Sequence, residues 1–177
     1  MSVFRFLLLG WACAGLVAAG EGKLRDSAFF RGLEGSWVGD GAFVSPDKPP
    51  QAAVNRIEAS FGADGEEFLI RGNLELDGTP LEYLWTYTVH EIEGLYRAVW
   101  KNLDVPDNVL EYAVSIDEGS RTATLEPAVG TSGASIIRFV QRVESAGTYV
   151  VELRITDSTG NATLEGTVTF GRPGGGS

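Results

Sequence analysis

Reactive side chains are scarce in this chain: its 177 residues include one cysteine, one histidine and one methionine. The cysteine, Cys13, lies within an apolar N-terminal run, so the rest of the chain has no disulfide and must be held by its core alone. Any form that loses this run also loses thiol nucleophiles and cysteine-ligated metals. Basic residues are few as well, 14 against 24 acidic ones, and the formal net charge is −10. No basic run occurs, which argues against nucleic acid and anionic membrane as partners, because both need local positive charge. Nucleophile-elbow, phosphate-loop and metalloprotease motifs are missing too.

The N-terminus is a separate physical problem. Arg5 precedes an apolar run over residues 6–19, broken only by Gly10 and Gly15 and ending in the small residues Ala18, Ala19 and Gly20. This is the pattern of a secretory signal peptide, and it falls short of the roughly twenty apolar residues that a spanning helix needs. Residues 1–20 are therefore expected to be cleaved near Ala19 or Gly20, with an alternative site after Ala14. The mature protein is then expected to be secreted or periplasmic, with no stable membrane insertion. Cys13 is not read as a lipid attachment point, since Gly10 and Trp11 stand before it and the apolar run continues past it. Taking Arg5 from the 14 basic residues leaves 13 against 24 acidic ones, a net charge of about −11.

What the rest of the chain does have is alternation. Leu81, Tyr83, Trp85, Tyr87 and Val89 fall on one phase and Glu82, Leu84, Thr86, Thr88 and His90 on the other, the period of two of a half-buried strand. Segments of this kind recur at 36–44, 53–61, 67–76, 81–91, 95–101, 109–116, 122–126, 135–143, 148–156 and 163–170. Turn formers separate them, among them Asp64-Gly65, Asp77-Gly78, Glu93-Gly94, Glu118-Gly119, Ala146-Gly147 and Gly160-Asn161. Short connections join antiparallel neighbours, so the expected fold is all-β: a single up-and-down barrel of about ten strands. A short helix or 3₁₀ turn over 23–31 would lie across one end. Residues 21–34 form a lead-in, 35–172 the barrel and 173–177 a flexible tail carrying Pro173 and three glycines. Three longer connections, 45–51, 104–108 and 128–134, are placed at a barrel mouth or read as ordinary surface loops.

The apolar phase collects almost no charge and all five tyrosines, with three of the four tryptophans. Tyr83, Trp85, Tyr87, Trp100, Tyr112 and Tyr149 would face a common interior from several strands, their rings holding an apolar ligand and their hydroxyls orienting it. Eight strands leave room for side chains or one small ligand, and about ten leave more. The same rings could instead plug the barrel solidly.

The segment Leu33-Glu34-Gly35-Ser36-Trp37, with Gly39 and Gly41 following, resembles the Gly-x-Trp opening of lipocalin-like barrels. The whole stretch 32–172 looks like the bacterial lipocalin-like proteins grouped as a domain of unknown function. The resemblance implies that Trp37 closes one barrel end from inside and that Arg172, just past the last strand, lies over its indole. The spacing Gly35-Ser36-Trp37-Val38-Gly39-Asp40-Gly41 is also similar to the start of nitrobindin, a haem-binding barrel whose iron ligand is a histidine near the C-terminus. This chain has none there, His90 being its only one, so no cofactor is expected.

Other chemistry is thinly supported. His90, Glu91 and Glu93 would need to converge to hold a metal, whereas successive strand residues point to opposite faces, and no metal site is expected. Asp40 with Tyr83 or Tyr87 could act as acid and base for an isomerase or cyclase, although nothing selects them. Asn161-Ala162-Thr163 matches a glycosylation sequon and reads more simply as a turn. Three functions remain: an exported module binding a small apolar or aromatic molecule, an enzyme using the same cavity, or a solid barrel with a structural or interaction role.

Overall fold

In the computed structural model of the chain, residues 24–90, 95–105, 107–128 and 135–174 are described. The expected signal segment, the Glu93-Gly94 turn and residues 129–134 lie outside them. A 3₁₀ turn, Leu24–Asp26, and a helix α1, Ala28–Leu33, precede ten strands. These are β1 (Gly35–Ser45), β2 (Lys48–Phe61), β3 (Glu67–Leu76), β4 (Thr79–Val89), β5 (Tyr96–Asn102), β6 (Val109–Asp117), β7 (Thr122–Pro127), β8 (Ser135–Ser145), β9 (Thr148–Asp157) and β10 (Ala162–Gly171). Strands that alternate and are joined by short turns pair with their sequence neighbours. Each strand here does so, antiparallel, and β10 closes on β1 through pairs such as Gly39↔Phe170 and Gly41↔Val168. The result is one closed all-β barrel with a short N-terminal helix.

The inward phase read from the sequence is the buried one: Trp37, Phe68, Ile70, Tyr83, Trp85, Tyr87, Tyr112, Tyr149, Val168 and Phe170 all sit in the core. Outward residues carry cross-strand ion pairs, including Arg97–Glu111, Arg138–Glu126 and Arg142–Glu152. Such exposed pairs add little stability. They do make the outer face polar, unlike the apolar belt of a barrel that faces lipid. No helix among the described residues is long and apolar enough to cross a membrane.

Two boundaries differ from expectation. The supposed long loop at 45–51 is a tight turn at Pro46 and Asp47, because β2 already starts at Lys48. Its first residues pair only with β1, as in Phe43↔Gln51, whereas β3 joins from Ala53↔Leu76 onwards. Pro49 and Pro50 therefore lie where β2 has one free edge and where its pairing with β1 shifts register between Phe43 and Ser45, so their missing N–H groups disturb the ladder little. At the other boundary β4 ends at Val89, and His90 is an exposed residue beyond it.

One barrel end is shut by the lead-in. Ser27 caps α1, its side chain accepting from the Phe30 N–H, while the Glu118 carboxylate from the β6–β7 turn accepts from the Ala28 N–H at 2.7 Å and the Phe29 N–H at 3.3 Å. A carboxylate at a helix N-terminus satisfies unpaired donors. Leu24, Phe29, Phe30 and Leu33 are completely buried by this docking, worth about 1.5–3 kcal/mol for each large apolar side chain. Beside them the Trp37 indole N–H donates to the Leu33 carbonyl at 2.7 Å, and the Arg172 guanidinium lies 3.6 Å from the Trp37 ring centroid. Arg172 also donates to the carbonyls of Gly32, Ser36 and Ala146. Gly35 makes this possible: its φ is +107°, and a Cβ there would lie 2.7 Å from an Arg172 nitrogen.

Truncating Trp37 removes the ring that this end packs around. Trp37→Ala is expected to lower stability by about 3–5 kcal/mol, and Arg172→Leu by about 0.5–2 kcal/mol, both read from urea unfolding. A loss below about 1 kcal/mol for Trp37→Ala contradicts its place in the core.

Candidate functional site

The interior is layered along the barrel axis. At the shut end Phe30 packs on Phe68 at 4.9 Å and Tyr87 at 5.3 Å between ring centroids. Above this layer the Tyr87 hydroxyl crosses from β4 to β8 and donates to Gln141 Oε1 at 3.0 Å. Trp85 stands edge-on to Phe139 at 5.2 Å and 5.4 Å from Tyr112. Helix, crossbar and rings together make a dense floor.

Beyond the floor the strands enclose a cavity of about 210 Å³. Its deep wall is Ile57, Ile70, Tyr83, Trp85, Tyr149, Val168 and Phe170, and its outer wall Leu74, Leu81, Trp100, Leu110, Ile137 and Ile155. The outer residues lie next to the turns after β3 and β9, the connection after β5 and the start of β8, and they are only part-buried, whereas Tyr149 is 2% exposed. The cavity therefore opens at the end opposite α1. Its lining is apolar apart from a few polar atoms, and no charged side chain or histidine lines it among the described residues.

The polar atoms are specific. Asn55 and Tyr83 pair across β3, Asn55 Nδ2 donating to the Tyr83 hydroxyl at 2.8 Å and that hydroxyl reaching Asn55 Oδ1 at 3.2 Å. Gly72 lies between them, and a Cβ there would sit inside the Tyr83 ring, so glycine is what lets the phenol lie flat against the wall. The Tyr149 hydroxyl and the Trp85 indole N–H meet no hydrogen-bond partner among the described residues. No buried side-chain polar atom is left unpaired there either, so both groups remain reachable from the cavity they line.

Of the six aromatic residues singled out from the sequence, Tyr83, Trp85, Trp100 and Tyr149 come together on the cavity wall. Tyr87 and Tyr112 do not: Tyr87 belongs to the crossbar, and Tyr112 packs 5.6 Å from Phe139 in the floor. Trp37 and Arg172 are brought together at the shut end, away from the cavity. Asp40 is exposed on the outer face, distant in phase from the tyrosines. Asn55 is the residue that sequence reading missed. Its signal was present, since it stands two residues before inward-facing Ile57, and a polar side chain on an apolar phase is the informative exception.

Burial sets the ionisation of the phenols. Loss of hydration raises Tyr83 well above the ordinary tyrosine range, partly offset by the Asn55 hydrogen bond. Tyr87 is raised in the same way against the opposing Gln141 hydrogen bond, and Tyr112 by burial. Tyr149 is raised by burial and then by repulsion from the neighbouring phenols of Tyr87 and Tyr83. All remain neutral at physiological pH and serve as hydrogen-bonding groups rather than bases.

No family model matches this sequence, and no curated protein matches it. Solved structures do. The S-type phycobiliprotein lyase CPES from Guillardia theta matches 89% of this chain and 97% of its own at a TM-score of 0.62 and 12% identity. Rv2717c from M. tuberculosis matches over 82% and 98% respectively, at 0.57 and 14% identity. A DUF3598 family protein of unknown function from Nostoc punctiforme matches 81% of this chain at 0.54 and 12% identity, and the chain spans 48% of that protein's length. These likenesses establish the fold, a lipocalin-like barrel.

The raised phenols give stability a definite pH dependence. The folded protein keeps protons that the unfolded chain releases near pH 10. Stability is thus complete below that value and falls as pH rises above it, by up to about 1.4 kcal/mol per pH unit for each such phenol. Urea midpoints are expected to be flat from about pH 7 to 9 and to fall steeply by about pH 11, less steeply in Tyr87→Phe. An equally steep fall in that variant contradicts the linkage.

Proposed function

We propose that the barrel binds a small apolar or aromatic molecule in the cavity above the Tyr87–Gln141 crossbar. The observation that carries this reading is an apolar cavity of about 210 Å³, shut at one end by the Trp37 and α1 packing and bounded by rings from several strands. Pockets of this kind, mostly apolar with a few placed polar groups, are the usual form of a small-molecule site. The enzyme reading draws less support, because acid–base catalysis needs titratable groups beside the substrate and none with a functional pKa lines this wall among the described residues. A solid barrel is opposed by the cavity itself.

We also propose that the protein is exported, with residues 1–20 acting as a cleaved signal. The support is the sequence pattern alone: Arg5, the apolar run and the small residues Ala18, Ala19 and Gly20. Expression of the full chain in a host with a general secretory route is expected to yield an extracytoplasmic protein beginning near Gly20 or Glu21. Intact residues 1–20 on soluble cytoplasmic protein overturn it.

Binding is tested with the neutral fluorescent probe N-phenyl-1-naphthylamine. Emission is expected to rise and saturate with the wild-type protein. Leu153 on β9 also lines the cavity, and Leu153→Trp, which fills that space, is expected to weaken binding at least about tenfold with a stability change below about 3 kcal/mol. Equal enhancement by both proteins places the probe elsewhere and rejects the site.

A further inference from the structure

This inference rests on the binding reading above and specifies the ligand. The Asn55–Tyr83 pair is joined by its own hydrogen bonds, which occupy the Tyr83 hydroxyl and one of the two Asn55 amide hydrogens. The Trp85 indole N–H and the Tyr149 hydroxyl differ: both side chains are at least nine-tenths buried, at 5% and 2% exposure, both line the cavity, and neither donor meets a partner among the described residues. An indole N–H can only donate, and a phenol at neutral pH donates readily. Besides the Asn55–Tyr83 pair, the described residues of the wall present these two unpartnered donors and no charged side chain. A carboxylate would have to shed its hydration with no cation to receive it, which costs far more than a neutral acceptor does.

Size narrows the choice further. An apolar cavity of about 150 Å³ holds one benzene ring; this one, at about 210 Å³, has room for a second fused ring. Aromatic rings make up a large share of its otherwise aliphatic wall, with Tyr83 and Trp100 stacked at 6.5 Å. We infer that the cavity takes an uncharged ligand of about two fused rings bearing a hydrogen-bond acceptor, a carbonyl oxygen or ring nitrogen, that is received by Trp85 Nε1–H and the Tyr149 hydroxyl.

The test compares quinoline, naphthalene and 2-naphthoate at pH 7.5, where quinoline is neutral and 2-naphthoate ionised. Quinoline and naphthalene share a shape and differ in the acceptor. In ¹⁵N-labelled protein, with the Trp85 resonance assigned through Trp85→Phe, quinoline is expected to move the Trp85 indole N–H downfield and naphthalene to leave it nearly unmoved. Tyr149→Phe is expected to weaken quinoline about fivefold, while naphthalene affinity and the urea midpoint stay close to wild type. 2-Naphthoate is expected to bind at least about tenfold more weakly than quinoline. If naphthalene binds but quinoline shows neither the indole shift nor the Tyr149→Phe loss, or if 2-naphthoate binds as well as quinoline, the ligand class is wrong and the apolar site stands. If none of the three binds while N-phenyl-1-naphthylamine does, the ligand class alone is wrong; if that probe fails too, the binding reading falls as well.

Discussion

Closing ten strands into one sheet encloses a wider interior than eight strands do, and inward side chains alone then fill it less easily. Every other feature of the molecule answers that constraint. At the shut end residues from outside the sheet add to the strand side chains: Leu24, Phe29, Phe30 and Leu33 on the lead-in are fully buried, and Phe30 packs on Phe68 and Tyr87. Beyond this packing the strands leave a cavity.

The imported plug is held at both ends by charge as well as by apolar contact. Glu118 receives the first N–H groups of α1, and Arg172 donates to the Gly32 carbonyl near its last turn while covering Trp37. A helix of six residues has little stability of its own. It exists here because its termini are satisfied by residues from β6–β7 and from the end of β10, and because Trp37 fixes the Leu33 carbonyl. The opening strand, the helix and the last residues of the barrel thus form one closure.

Within the cavity the balance of polar groups decides what chemistry is open to it. Burial holds the phenols neutral, Asn55 and Tyr83 are hydrogen-bonded to each other, and Gln141 Oε1 is occupied by Tyr87. Among the described residues of this wall no group is poised for proton transfer at neutral pH. Recognition by shape, ring contact and a few hydrogen bonds is the chemistry that these side chains supply.

Much of this was legible in the sequence. A period of two names the face on which each side chain lies, so the barrel class and the inward tyrosines and tryptophans followed from Leu81 to Val89 and its counterparts, whereas the Gly35–Trp37 opening was read from family resemblance. The position of Arg172 over Trp37 came from family resemblance rather than from spacing. Periodicity carries no height along the barrel axis and no identity for the residue across the interior. Tyr83 and Tyr87 share a strand, a face and a chemistry, yet one lines the cavity and the other bridges to Gln141, four residues' travel apart along β4. That difference comes from register, from the glycine at 72 that lets Tyr83 lie flat, and from Phe30 arriving beneath Tyr87. Sequence determined which side chains turn inward; only closure of the sheet on itself, which sets the partner opposite each of them, decided which became floor and which became wall.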